Sequence, residues 1–250
     1  MQGFNRHNIK HTSPSALNMW AEDPAAWIAK YLLGTKFAFS PAARAGVLAE
    51  DAVVSVLARG ITQQEATERA VETFARATLF DRSEKTQSRI DMIPGMIDLA
   101  LKELKQYGEP EFAPDGKQKK IEVNCRVDDW AIPVIGFLDL HYPQHGLVVD
   151  LKTSSRLPSE MSQSHLRQQA IYKAAMGNCA VKFLYTTSKK TAIFEPEDTS
   201  DTLKDIKAIL KRQNAFLSVG DIDLLKSIVP VVPSFYFNDD LNIRKEIYGY

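Results

Sequence analysis

The sequence predicts an α/β (α+β) fold, a mixed β-sheet flanked by helices with a helical N-terminal part ahead of it. Three observations carry this expectation. As far as about Tyr107, apolar residues recur at helical spacing behind Ser, Thr and Pro start signals. From Lys120 onward the pattern changes to alternation and short apolar runs, the signature of strands. Helical segments then interrupt those strands, giving the order β-β-β-α-β.

Each element has a local cause. Ser13 with Pro14 reads as an N-cap followed by proline at the first helical position, opening a helix to about Leu33. Ser40 with Pro41 repeats the device for a second helix, closed by Gly60. Thr62 and Glu65 have capping-box spacing for a third helix, through about Leu79. A fourth spans roughly Ser83 to Tyr107, kinked or interrupted at Pro94. "KIEVNCRV" alternates as a strand, and "VIGFLDL" and "GLVVDLKT" form a hairpin around "PQHG". A helix from about Ser159 to Met176 stops at Gly177. Strands "AVKFLYTT" and "TAIFEP" follow, then a helix from about Thr199 to Leu217 and a mixed tail. No repeat or linker-like stretch is visible, so residues 1–250 are read as a single domain.

Composition narrows the function classes. Lys and Arg together equal Asp and Glu, 31 against 31, so indiscriminate coating of nucleic acid is disfavoured. Local basic patches at 117–120 and at Lys204, Lys207, Lys211 and Arg212 leave room for a locally lined groove. The opening residues lack the apolar core of a secretory signal, and no apolar run approaches membrane-spanning length. Cys125 and Cys179 are the two cysteines, too few for a disulfide framework; both are expected to pack in strands in a reducing cytoplasm. His7 and His11 have metal-ligand spacing but lie in a polar terminus expected to be disordered. His141 and His145 are expected on the surface.

The hairpin holds the chemistry. If Pro143 faces Gly146 across Gln144 and His145, the same register sets Asp139 opposite Asp150, with Lys152 on the same face. Like charges so placed need something positive between them, which a divalent metal with a lysine beside it supplies. A slip of one residue would send the aspartates to opposite faces, so the inference depends on the turn. Helical projection puts Glu50 on the inward stripe with Gly46, Val53 and Leu57, whereas Asp51 lies on the polar side; Glu50 is therefore the third candidate ligand. On the later helix, Gln168 and Tyr172 are four apart and share a face, with His165 one turn earlier. Neutral hydrogen-bonding groups of this kind suit phosphate oxygens or bases.

"GFLD", "VVDLKT" and "QQAIY", in that order, resemble the PD-(D/E)xK nuclease superfamily, in particular its RecB-like branch with the phage recombination exonucleases. The resemblance runs from about Thr12 to Tyr185 and implies a restriction-endonuclease-like core. It implies that Glu50, Asp139 and Asp150, with the backbone carbonyl of Leu151, hold Mg²⁺ or Mn²⁺. It further implies that Lys152 is catalytic and that Gln168, Tyr172 and His165 contact DNA. Glu50 stands where many RecB-like enzymes have histidine. Asp23, in "EDPAAW", stands where the cluster-bearing relatives have cysteine, so no iron–sulfur cluster is expected. The implied activity is a metal-dependent DNA exonuclease, 5′-to-3′, serving phage-type or bacterial recombination or DNA degradation. The alternatives are an endonuclease of the same superfamily or an inactive DNA-binding protein. A single-strand annealing or single-strand-binding protein is the implied partner, and a homo-oligomeric ring the implied assembly.

Overall fold

A computed structural model describes residues 2–81, 83–123, 130–196, 198–232, 234–237 and 241–249. The helical part comprises α1 (Gln2–Arg6), α2 (Pro14–Glu22), α3 (Pro24–Tyr31), α4 (Pro41–Arg59), α5 (Gln63–Ala77) and α6 (Glu84–Leu104). The start signals act as their chemistry requires. The hydroxyls of Ser13, Ser40, Thr62 and Ser83 accept the backbone N–H groups of Ala16, Ala43, Glu65 and Thr86, which no helical carbonyl can reach.

One helix departs from expectation. The helix expected to reach Leu33 divides at Asp23, whose carboxylate accepts the Ala26 N–H at 2.8 Å while Pro24 takes the first position of α3. This is the Ser-Pro device with Asp as the cap. Of the two alternatives at Pro94, interruption does not occur, since α6 runs through it as one helix.

The predicted strand "VIGFLDL" is two strands belonging to two sheets. β1 (Lys119–Val123) pairs antiparallel with β2 (Val134–Leu138). β3 (Leu140–Tyr142), β4 (Leu147–Thr153), β5 (Ala180–Thr186) and β6 (Thr191–Phe194) form a four-stranded sheet in that order. β4 and β5 run parallel and the outer pairs antiparallel, so the sheet is mixed. The parallel pair requires a crossover, which α7 (Gln163–Met176) provides. The β3–β4 register is the expected one, with Tyr142 facing Leu147 and Leu140 facing Val149. The turn is longer than two residues, a 3₁₀ turn at Pro143–His145 followed by Gly146 at φ 53°. The predicted strand beyond Val123, with Cys125, lies outside the described residues. Cys179 sits just ahead of β5, not within a strand.

α8 (Ser200–Leu217), α9 (Ile222–Ile228) and α10 (Leu241–Tyr248) complete the chain. The amino terminus is ordered against α8, contrary to expectation. Phe4 is fully buried, Gly3 N–H donates to Asn214 Oδ1 at 3.1 Å, and His7 Nε2 lies 3.1 Å from Leu217 O. His141 is likewise buried, bonded to Glu111, whereas His145 is exposed.

Strand alternation divides the core. Leu147, Val149 and Leu151 pack with residues of α4, α5 and α6 on one face of the sheet. Val148, Val181 and Phe183 pack with residues of α2, α3, α7 and α8 on the other. Asp150 and Lys152 therefore belong to the α7 side. Among the described residues, no helix is long and apolar enough to cross a membrane.

Candidate active site

The site forms where β3 and β4 separate. Their ladder ends at Leu140 and Val149, and the chain bends at Asp139 to enter the other sheet. The Leu151 N–H thereby loses its strand partner on that side, and Asp139 Oδ2 accepts it at 2.9 Å. One side chain thus closes the backbone account and leaves its second oxygen facing the opening.

Glu50 reaches this opening from α4. A Cβ on Gly46, one turn earlier, would lie 2.8 Å from Thr153 Oγ1, so glycine lets α4 approach the end of β4 closely. Asp51 points away, as projected, toward Arg59 at 3.7 Å with 63% of its side chain exposed. From the opposite face, Gln168 on α7 donates through Nε2 to Asp150 Oδ1 at 2.8 Å and to the Tyr172 hydroxyl at 2.8 Å. Tyr172 in turn donates to Phe137 O at 2.8 Å. The four-residue spacing is thus a single relay joining α7 to Asp150 on β4 and to the backbone of β2. Gly136 makes room for it, since a Cβ there would come within 3.0 Å of the Tyr172 ring.

Lys152 Nζ lies 2.5 Å from Asp150 Oδ2 and sits over the Phe183 ring at 5.4 Å. Asp150 Oδ2 is fully buried, and its close polar neighbour is the Lys152 ammonium. His165 is held by the Tyr185 hydroxyl and stacks near Phe183. Lys152, His165, Gln168 and Tyr172 line a cleft of about 590 Å³, with the half-exposed Phe137 ring on its wall.

The electrostatics follow from burial. Asp139 is driven well above the ordinary carboxylate range by desolvation, then by repulsion from Asp150 and Glu50. Glu50 rises through burial and the Asp150 charge, and Asp150 through burial, with Lys152 opposing both. Desolvation acts to lower the Lys152 pKa, but Asp150, Asp139 and Glu50 together outweigh it, so the ammonium is held charged. Burial and then Lys152 push His165 down to about 4, leaving it neutral near pH 7.

One participant escaped sequence reasoning. Gln118, in the basic run "KQKK", donates through Nε2 to Glu50 Oε1 at 2.6 Å and to Asp139 Oδ1 at 2.8 Å. Nothing in its local sequence marks it, because its partners are brought in by α4 and by the bend after β2. Among the described residues, no three His, Cys, Asp or Glu side chains are already gathered into a metal site. The donor set nevertheless fits a divalent cation. All the candidate ligands are hard oxygens, Asp150 Oδ2 is a buried acceptor whose near neighbour is the Lys152 ammonium, and a positive amide edge already bridges Glu50 and Asp139.

The site is a mixed sheet opened around buried acids with a lysine beside them. Residues 11–224 match the model of the PD-(D/E)XK nuclease superfamily, and the chain belongs to that superfamily, with its restriction-endonuclease-like fold. Membership indicates a nuclease, and nucleases of this superfamily generally use divalent metals. No curated protein matches the chain as a relative.

Proposed function

We propose that the protein is a metal-dependent DNA exonuclease of the RecB-like branch, degrading linear DNA from the 5′ end in recombination or DNA degradation. The observation that carries the chemistry is the meeting of Glu50, Asp139, Asp150 and Lys152 where β3 and β4 part. Glu50, Asp139 and Asp150, with the Leu151 carbonyl, would hold Mg²⁺ or Mn²⁺. When bound, the cation supplies Lewis acidity toward the phosphate and makes water a better nucleophile at neutral pH. Lys152, beside Asp150, would orient the attacking water and offset charge growing on the phosphate oxygens. Gln168 holds Asp150 in place, Tyr172 fixes the backbone at Phe137, and neutral His165 offers DNA a hydrogen-bonding group without further charge.

The balanced net charge supports the end-dependent mode, because it favours a local grip over binding along a duplex. A ring assembly, a single-strand annealing or single-strand-binding partner, and action in the cytoplasm complete the reading. The test offers linear and covalently closed circular DNA of the same sequence with Mg²⁺. Loss of the linear form alone is expected, and blocking the 5′ end should protect it. Rapid nicking or linearisation of the circle would replace this reading with the endonuclease.

A further inference from the structure

We propose that Gln118 is a stand-in cation: in the metal-free protein its side-chain amide occupies the space between Glu50 and Asp139, and it must leave for metal to bind. The inference rests on the metal-site reading above. Both partners are carboxyl oxygens, and the amide meets them through its NH₂ end. Its two hydrogens serve the two acids at 2.6 and 2.8 Å. The remaining groups at the site are committed elsewhere: Leu151 N–H to Asp139 Oδ2, Gln168 to Asp150 Oδ1, and Lys152 to Asp150 Oδ2.

An amide answers the hydrogen-bonding need of the acids but brings no net charge. A dication answers both needs and displaces the amide, because two positive ends cannot share one position. Gln118 is half-buried and precedes β1, at the end of a turn in which Gly116 lies at φ 71° and Ala113 N–H bonds to Lys117 O. The side chain therefore lowers metal affinity by stabilising the state that lacks metal, a linkage effect.

Calorimetric titration of the full chain with Mn²⁺, together with melting with and without Mn²⁺, tests this. Gln118→Ala is expected to bind Mn²⁺ about tenfold more tightly, the loss of roughly one charge-assisted hydrogen bond from the metal-free state. Its metal-free Tm should fall while its Mn²⁺-saturated Tm matches wild type. Gln118→Lys, which supplies a permanent cation, should do the reverse, raising the metal-free Tm and weakening Mn²⁺ binding by about 100-fold or more. Weaker binding in Gln118→Ala would make the residue a carbonyl ligand, and unchanged binding would make it a bystander; either overturns the proposal. A wild-type protein that binds no Mn²⁺ would overturn the metal-site reading along with it.

Discussion

Asp139 accepts the Leu151 N–H at 2.9 Å at the point where β3 and β4 part, so one carboxylate both ends a ladder and opens a site. Asn at this position can still take that N–H through its carbonyl, but its NH₂ then meets the NH₂ of Gln118, donor against donor. Asp139→Asn also removes repulsion with Asp150 and Glu50. These two changes oppose each other in the metal-free protein, and the rise in Tm on adding Mn²⁺ should shrink to less than half that of wild type. Equal rises in melting curves of the two proteins would place the metal elsewhere.

Lys152→Ala is expected to lower the single-turnover rate with Mg²⁺ by about 100-fold or more, the usual scale for losing a donor aimed at developing charge. It also leaves Asp150 Oδ2 buried with no positive neighbour. The metal-free protein should lose about 1–3 kcal/mol, limited because the carboxyl can take up a proton. Excess Mn²⁺ should recover much of that stability in urea unfolding. A variant retaining a tenth of the wild-type rate would remove Lys152 from the mechanism.

Gly136→Ala tests the packing behind the relay. The added methyl meets the Tyr172 ring at 3.0 Å, against a side chain already bonded to Phe137 O and Gln168. Over-packing of this kind costs about 1–3 kcal/mol. Activity should fall further than stability alone explains, since Gln168 and with it Asp150 shift. A double variant with Tyr172→Phe should be less than additive in chemical denaturation; full additivity would show that the two residues do not interact.

His165 gives a pH signature with a definite sign. Its folded pKa of about 4 lies below the ordinary 6.5, so the unfolded chain binds the proton more tightly. The stability contribution is present above about pH 6.5 and is lost as pH falls toward 4. Glu50, Asp139 and Asp150 act oppositely, because their raised pKa values favour the folded state at low pH. Comparing wild type with His165→Gln isolates the histidine, as the acids are common to both. Urea unfolding between pH 4.5 and 7 should show the variant losing less stability on acidification. Parallel profiles would mean that His165 titrates normally.

Much of the framework was legible because its causes are local. Ser13, Ser40, Thr62 and Ser83 cap helices wherever they precede them, since the bond closes within three residues. The β3–β4 register followed from Pro143 and Gly146, and the i,i+4 spacing of Gln168 and Tyr172 ensured that they share a face. Helical projection likewise separated Glu50 from its solvated neighbour Asp51. Local reasoning failed where a local signal was read against its neighbours, as at Asp23, and at His141, which is buried and bonded to Glu111 thirty residues away.

Tertiary structure alone decided the division of "VIGFLDL" between two sheets. Apart from Gly136 and Asp139 the residues of that run favour a strand, and pairing with β1 on one side and β4 on the other sets the bend at Asp139. The same holds for Gln118, a polar residue among lysines until α4 and the bend bring two carboxylates to its amide. The sequence by itself determined which groups could bear the chemistry and which faces they share, because side-chain type and backbone period are local properties. Which of them meet, at what burial and with what charge, depended on contacts between segments far apart in the chain, and no local period encodes those.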